Sequence, residues 1–190
     1  MDKKIAIMQP YIFPYIGYFQ LINSVDEFII YDNIQYTKKG WINRNRILVN
    51  EKDQLITLPL KKASDYLNVN DRELSESWEN DKKKILNTIK TCYSKAPYSS
   101  ESYKLIQECL DNNEINLFKF IFNSLNKINE FLDIKTKIII SSSFGEDKLI
   151  ALHILDSAYF FCSFLIIFIL LSSEYSFNIL RLSSVERSSI

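Results

Sequence analysis

The residues best suited to chemistry fall in the first fifty of 190, between Met8-Gln9-Pro10-Tyr11 and Trp41-Ile42-Asn43-Arg44-Asn45-Arg46. Gln9 leaves the end of one expected strand and Asp32 leaves the end of another. Polar side chains there have no packing reason to be present, and ligands of open parallel sheets bind outside the carboxyl ends of strands. If the two strands are neighbours, Gln9 and Asp32 face one crevice and form the catalytic pair. Asp32 is then the general base, with Gln9 helping to orient the acceptor. Tyr11, Tyr15, Gly17 and Tyr18 belong to a loop feeding a helix N-terminus, where free N–H groups suit a phosphate or carboxylate. Gly17 would allow close backbone approach. Gln35 and Tyr36 follow, then Lys38 and Lys39, then Trp41, Asn43, Arg44 and Arg46. Guanidinium groups grip phosphates or carboxylates with paired hydrogen bonds, and an indole stacks on a ring. The set describes a site for an anionic ligand with a planar or sugar part.

A bland reading stands beside this one. Tyr11, Phe13, Tyr15 and Phe19 equally suit a packed core, and Arg/Asn-rich turns often do no more than satisfy carbonyls. Lys61 and Lys62 fit a solvated face, and His153 is a lone histidine in an apolar run. The chain has no Walker loop, GxGxxG, Ser-His-Asp set, Cys-His pair or metal-ligand cluster, so the residues define a ligand site without naming a reaction, cofactor or metal.

The elements that must position these residues are those of an α/β domain. Lys4–Met8 is expected as a strand, with Pro10 and Pro14 bracketing an aromatic loop. A helix over Ile16–Ser24 with Ile16, Phe19 and Ile22 inward, then a strand over Glu27–Tyr31, makes a β-α-β unit starting a short parallel sheet. Arg46–Asn50 and Gln54–Leu60 pattern as a hairpin turning on Asn50-Glu51-Lys52-Asp53. Lys61–Leu74 is polar and irregular. A helical insert follows. Its first helix starts at an N-cap Ser77, carries Trp78, Ile85, Leu86, Ile89, Cys92 and Tyr93 on one stripe, and ends before Pro97. Helices over Ser100–Asn112 and Asn116–Leu132 complete the insert, and Lys137–Ser141 is another buried strand.

Charge is balanced, with 23 basic and 23 acidic residues, which points away from a nucleic-acid partner. Ile5–Met8 is too short for a signal peptide, and Cys92, Cys109 and Cys162 lack CxxC spacing. They fit free, largely buried thiols in a reducing, bacterial-type cytoplasm. From Leu149 onward, however, Lys, Gly and Pro vanish together, while Ser, Leu, Ile and Phe dominate. The expected organisation is therefore a domain over 1–148, incomplete, and an apolar tail over 149–190. The run at 151–171 approaches the ~20 residues of a membrane span, although it contains His153 and Asp156. It offers three readings: a tail anchor, an apolar core helix, or aberrant sequence from a frameshift or insertion. Folded α/β domains need Gly and Pro at turns, which favours the third. Membrane association would arise only through this run.

The segments Ile5–Tyr11, Phe13–Ile22, Tyr31–Tyr36 and Gly40–Arg46 together resemble the WbqC-like protein family, with similarity continuing to about Lys148. The resemblance implies an α/β protein of bacterial surface-polysaccharide (O-antigen type) biosynthesis. The implied activity is acyl or aminoacyl transfer, or ligation, onto a nucleotide-linked or otherwise phosphorylated amino sugar. It also implies a family segment after Lys148 that is not recognisable here, whose loss would leave apolar faces uncovered and the product inactive. A non-catalytic sugar- or nucleotide-binding partner is the alternative. In fold alone the opening loop resembles HIGH-type nucleotidyltransferases, with Tyr15 and Tyr18 near the places of that motif's histidines. Cofactor and oligomeric state stay unassigned.

Overall fold

Apolar residues concentrated between Ile5 and Met8 build the first strand in the computed structural model of this chain. The structure describes residues 3–144 and the backbones of two later strands. Elements run β1 (Lys3–Met8), α1 (Ile16–Asn23), β2 (Glu27–Ile30), β3 (Arg44–Val49), β4 (Lys52–Thr57), α2 (Trp78–Tyr93), α3 (Ser99–Leu110), α4 (Leu117–Phe131) and β5 (Lys137–Ile140), then β6 (Ile167–Leu171) and β7 (Phe177–Ile179). Short 3₁₀ turns cover Val69–Asp71 and Ser141–Ser143. The main sheet has the order β5-β2-β1-β6-β7, and β3 pairs with β4 in a separate hairpin. Strands β1, β2 and β5 are parallel, with Met8 opposite Ile30 and Ile30 opposite Ile140. The chain is therefore the expected mixed α/β fold, with a β-α-β start, a hairpin and a helical insert.

One face of the parallel strands carries the main core. Ala6, Phe28 and Ile30 join Tyr18 and Ile22 of α1 and Ile121 and Leu125 of α4 in one buried cluster. Tyr18 meets Phe28 edge-on at 5.3 Å between ring centres, and Trp78 meets Phe120 at 5.2 Å. Full burial of such side chains contributes ~1.5–3 kcal/mol each. Ile5, Ile29 and Tyr31 are buried too, and strand alternation places them on the opposite face.

Several expectations need correction. Phe19 and Ile22 of α1 are buried as expected and are joined by Tyr18 and Leu21, but Ile16, at the first position of the helix, is 64% exposed. Cys109 is buried but Cys92 is exposed near the end of α2, and Cys162 lies outside the described residues. Ser77 does precede α2, but its hydroxyl donates to Asp81 Oδ2 at 3.0 Å instead of capping the backbone. Both hairpin strands begin two residues earlier than expected and the turn is tighter: Val49 pairs with Lys52, leaving the two-residue loop Asn50-Glu51 with φ of 49° and 63°. Those signs are those of a type I′ turn, which follows strand twist. Of the apolar run at 151–171, Ile167–Leu171 is strand, not helix, and pairs antiparallel with β1. Its β-branched and aromatic content suits that edge. The rest of that run, and most of the tail, lies outside the described residues. Among the described residues no helix is long and apolar enough to cross a membrane.

At their amino ends the three parallel strands are joined by charge. Glu27 Oε1 receives Lys3 Nζ at 2.8 Å from β1 and Lys137 Nζ at 3.0 Å from β5. The hydrogen bond from Lys3 lowers the Glu27 pKa most; burial opposes it and Lys137 adds to it. A depressed folded pKa means stability that is present above the ordinary glutamate range and lost as pH falls through the folded value. Glu27→Gln should therefore unfold at lower urea than the parent at pH 7, with the gap closing as pH drops below about 4. Glu51→Gly, which relieves a left-handed non-glycine residue, should raise the unfolding free energy by about 0.5–1 kcal/mol in the same titration.

Candidate functional site

The carboxyl ends of β1, β2 and β5 release Gln9, Asp32 and Ser141 side by side in the sheet order. Asp32 is 2% exposed, and the chain supplies its donors. Its Oδ1 accepts from the Ser141 hydroxyl at 2.7 Å and from the Ser142 N–H at 2.9 Å, while Oδ2 accepts from Asn70 Nδ2 at 3.1 Å. Its own N–H donates to Ser141 Oγ at 3.1 Å. A buried carboxylate without such donors is strongly unfavourable, so these bonds are what permit it. Asn70 in turn accepts, through its carbonyl, from Asn116 Nδ2 at 2.7 Å, and Asn116 caps α4 through Lys119 N–H. The cap, the 3₁₀ turn, β2 and the end of β5 thus meet at one carboxylate.

Gln9 is exposed, and its carbonyl accepts the Tyr18 hydroxyl at 3.1 Å. Tyr18 is buried, and burial pushes its phenol up. Tyr11 is half-buried beside the exposed Tyr15; burial, then Tyr15, raise its pKa. A Cβ on Gly17 would fall 2.3 Å from the Tyr15 ring, so this glycine makes room for that ring. The loop is fastened to the second motif. Ile12 N–H donates to Ile42 O at 3.0 Å, and Asn45 Nδ2 donates to the carbonyls of Ile12 and Phe13. Phe13 has φ 49°, an uncommon conformation for a bulky residue, and this bracing holds it.

Beyond Asp32 the chain at 32–36 runs against 67–70. Asn70, Val69 and Tyr36 N–H groups bond Asp32, Ile34 and Leu67 carbonyls in a ladder, and Gln35 bridges Asn68. Tyr36 is buried; its hydroxyl donates to Asn43 Oδ1 at 2.8 Å, and Asn43 Nδ2 donates to Leu58 O at 2.8 Å. The Arg72 guanidinium lies 4.6 Å from the Tyr36 ring centre. Burial raises the Tyr36 pKa, while Arg44, Arg72 and Lys38 pull it down in part. Arg44 donates to the Lys38 carbonyl. Arg46 sits elsewhere, 5.3 Å from the exposed Trp41 ring and 3.2 Å from Asp53 Oδ2.

The pattern that carries this arrangement is that of a known family: a model of the WbqC-like protein family matches residues 9–159. The chain belongs to the WbqC-like family. The match runs past Lys148, further than the change of composition suggested. An uncharacterized protein of Mycobacterium tuberculosis, Rv1507c, is 56% identical over 59 residues, covering 31% of this chain and 26% of that protein. The aligned stretch thus spans about a quarter of that relative. No solved structure matches the chain.

Within this WbqC-like chain the expected site residues separate into three groups. Gln9, Tyr11, Tyr15, Gly17 and Tyr18 form the opening loop, with Tyr18 turned into the core. Gln35, Tyr36, Asn43 and Arg44 gather with Arg72, and Trp41 with Arg46 lies on the exposed hairpin. Asp32 stands at the strand ends with Ser141 and Asn70. Those two and Arg72 escaped the sequence reading. Ser141 was legible as the polar residue closing an apolar strand. Asn70 and Arg72 lie in a stretch without periodicity. Ser141→Ala removes a hydrogen bond to a buried charged group and should cost about 1.5–3 kcal/mol in chemical denaturation, with the helical content at 222 nm retained.

Proposed function

We propose that this protein acts in bacterial surface-polysaccharide biosynthesis, modifying a nucleotide-linked or otherwise phosphorylated amino sugar by acyl or aminoacyl transfer. Family membership supports the class of pathway. The observation that carries the site is the pairing of a buried carboxylate at the parallel strand ends with a guanidinium cluster along the same strip of chain. The Cα atoms of Asp32 and Tyr36 are at most about 14 Å apart, a span that a sugar linked to a phosphate can bridge. In this reading the cations and Tyr36 hold the phosphate, and Trp41 offers a stacking face from the hairpin. Gln9 and Asp32 orient the acceptor amine, and Asp32 takes its proton as the amide forms. The activated acyl or aminoacyl donor would come from a separate adenylation or thioester-forming step.

One observation favours a second reading, a non-catalytic binding partner: three donors from the protein already occupy Asp32. The two readings separate in one experiment with Asp32→Asn, which keeps shape and removes charge. A general base contributes ~10²–10⁴-fold. Product formation from a nucleotide-linked amino sugar should therefore fall at least about 100-fold, with binding of that sugar within a few-fold of the parent. Unchanged product formation would remove Asp32 as the base. Joint loss of binding and product would make it a positioning residue, and absence of product from the parent with every activated donor would favour the binding partner.

A further inference from the structure

Among the described residues two buried cations are treated very differently. Lys82 is flanked by Glu79 at 2.9 Å and Asp111 at 3.1 Å, so its charge is met by carboxylates. Arg72 is only 3% exposed, yet among the described residues no carboxylate pairs with it. Its Nη2 donates to the Ser64 carbonyl at 2.7 Å, and its Nε is sealed from solvent with no acceptor. Arg44 is half-buried beside Tyr36, with Nη2 on the Lys38 carbonyl and Nε buried without an acceptor. An arginine cannot relieve such a position by losing its proton, and a buried, under-accepted guanidinium is strongly unfavourable. Both guanidinium groups and Lys38 lie near enough to Tyr36 to act on its hydroxyl. Against these three cations the described residues show a single ion pair, Lys38 with Asp65 at 2.8 Å.

We propose that Arg72, Arg44 and Lys38, grouped around Tyr36, form an oxyanion site for a phosphate or carboxylate group, with Asp65 as the internal anion that the ligand displaces. The proposal rests on the reading of the site as one for a phosphorylated sugar and moves the anion grip from the hairpin Arg46 to Arg72. Arg46 is already satisfied by Trp41 and Asp53 on the surface. The exposed strip 61–66 touches Arg72 through the Ser64 carbonyl. That strip is held through the Ser64 carbonyl on Arg72, the Asp65 carboxylate on Lys38 and the Asp65 carbonyl on Gln35 Nε2 at 3.1 Å. An incoming oxyanion offers Arg72 a charged acceptor in place of a neutral carbonyl, and fork-shaped guanidinium groups favour it through paired hydrogen bonds.

The test is titration of the full chain with inorganic phosphate and, separately, acetate, at constant ionic strength, followed by calorimetry and thermal melts. Phosphate or acetate should bind and raise the melting temperature beyond the effect of chloride. Preference between the two identifies a phosphate or a carboxylate as the native group. Asp65→Asn, on an exposed residue, should tighten binding several-fold by removing the competitor. Arg44→Gln and Arg72→Lys should each weaken it at least tenfold; should Arg72→Lys fail to fold, the Asp65 and Arg44 variants decide. Absence of anion binding beyond chloride, or affinities unchanged within twofold in Asp65→Asn and Arg44→Gln, would overturn the proposal. Anion binding with this dependence but no binding of a nucleotide-linked amino sugar would leave the oxyanion site standing and end the sugar reading. A nucleotide-linked amino sugar bound equally by the parent, Arg44→Gln and Asp65→Asn would do the reverse.

Discussion

A carboxylate shut away from water must receive its hydrogen bonds from the chain, and Asp32 is where this fold meets that demand. Three donors converge on it from segments far apart in sequence: the Ser141 hydroxyl and Ser142 N–H after β5, and the Asn70 amide. Because Asn70 also receives Asn116, the start of α4 is drawn to the same point. The segment 58–136 between β4 and β5, which carries the helical insert, is thereby tied to the end of the sheet. The parallel strands are held at both ends by acidic residues, Glu27 at the amino edge and Asp32 at the carboxyl edge. The two differ in kind. Glu27 is met by lysines at the surface, where ion pairs are worth little individually, whereas Asp32 is met by neutral donors in the interior.

That difference bears on function. Asp32 is held by neutral donors, while among the described residues no carboxylate pairs with the guanidinium groups of Arg44 and Arg72. Among the described residues Asp32 forms no ion pair with either arginine. Burial makes separated charges unfavourable, so a fold that retains them is arranged for something other than stability. A ligand with a cationic or proton-donating end and an anionic end matches that separation. Phe13 in its left-handed conformation, braced by Asn45, is a second instance of local strain beside the same region.

The N-terminal loop and the Trp41–Arg46 motif are fastened together, Ile12 to Ile42 through the backbone and the Asn45 side-chain amide to the Ile12 and Phe13 carbonyls. Asn43 and Asn45 therefore have structural duties as much as binding ones. Asn43 holds Tyr36 against the end of β4, and Asn45 holds the aromatic loop. Membership in the WbqC-like family covers both segments.

The sequence by itself determined the class of fold, the β-α-β start, the hairpin and the three-helix insert. These are local matters: apolar periodicity, proline and glycine placement, and polar residues at strand ends. It misjudged the burial of Ile16 and of Cys92, because each lies in the terminal turn of its helix, where neighbouring elements decide burial. It placed the hairpin turn two residues too wide, because Glu51 gives no signal for a left-handed conformation. Part of the apolar run at 151–171 became strand instead of helix, since a short apolar run carries no period that separates the two and the free edge of β1 decided it. Which polar residues meet was settled by tertiary structure alone. Ser141 lies 109 positions from Asp32, and Arg72 reaches Tyr36 from a stretch without periodicity. Burial then converts an ordinary arginine into an under-accepted cation, a property no residue has until the chain closes around it.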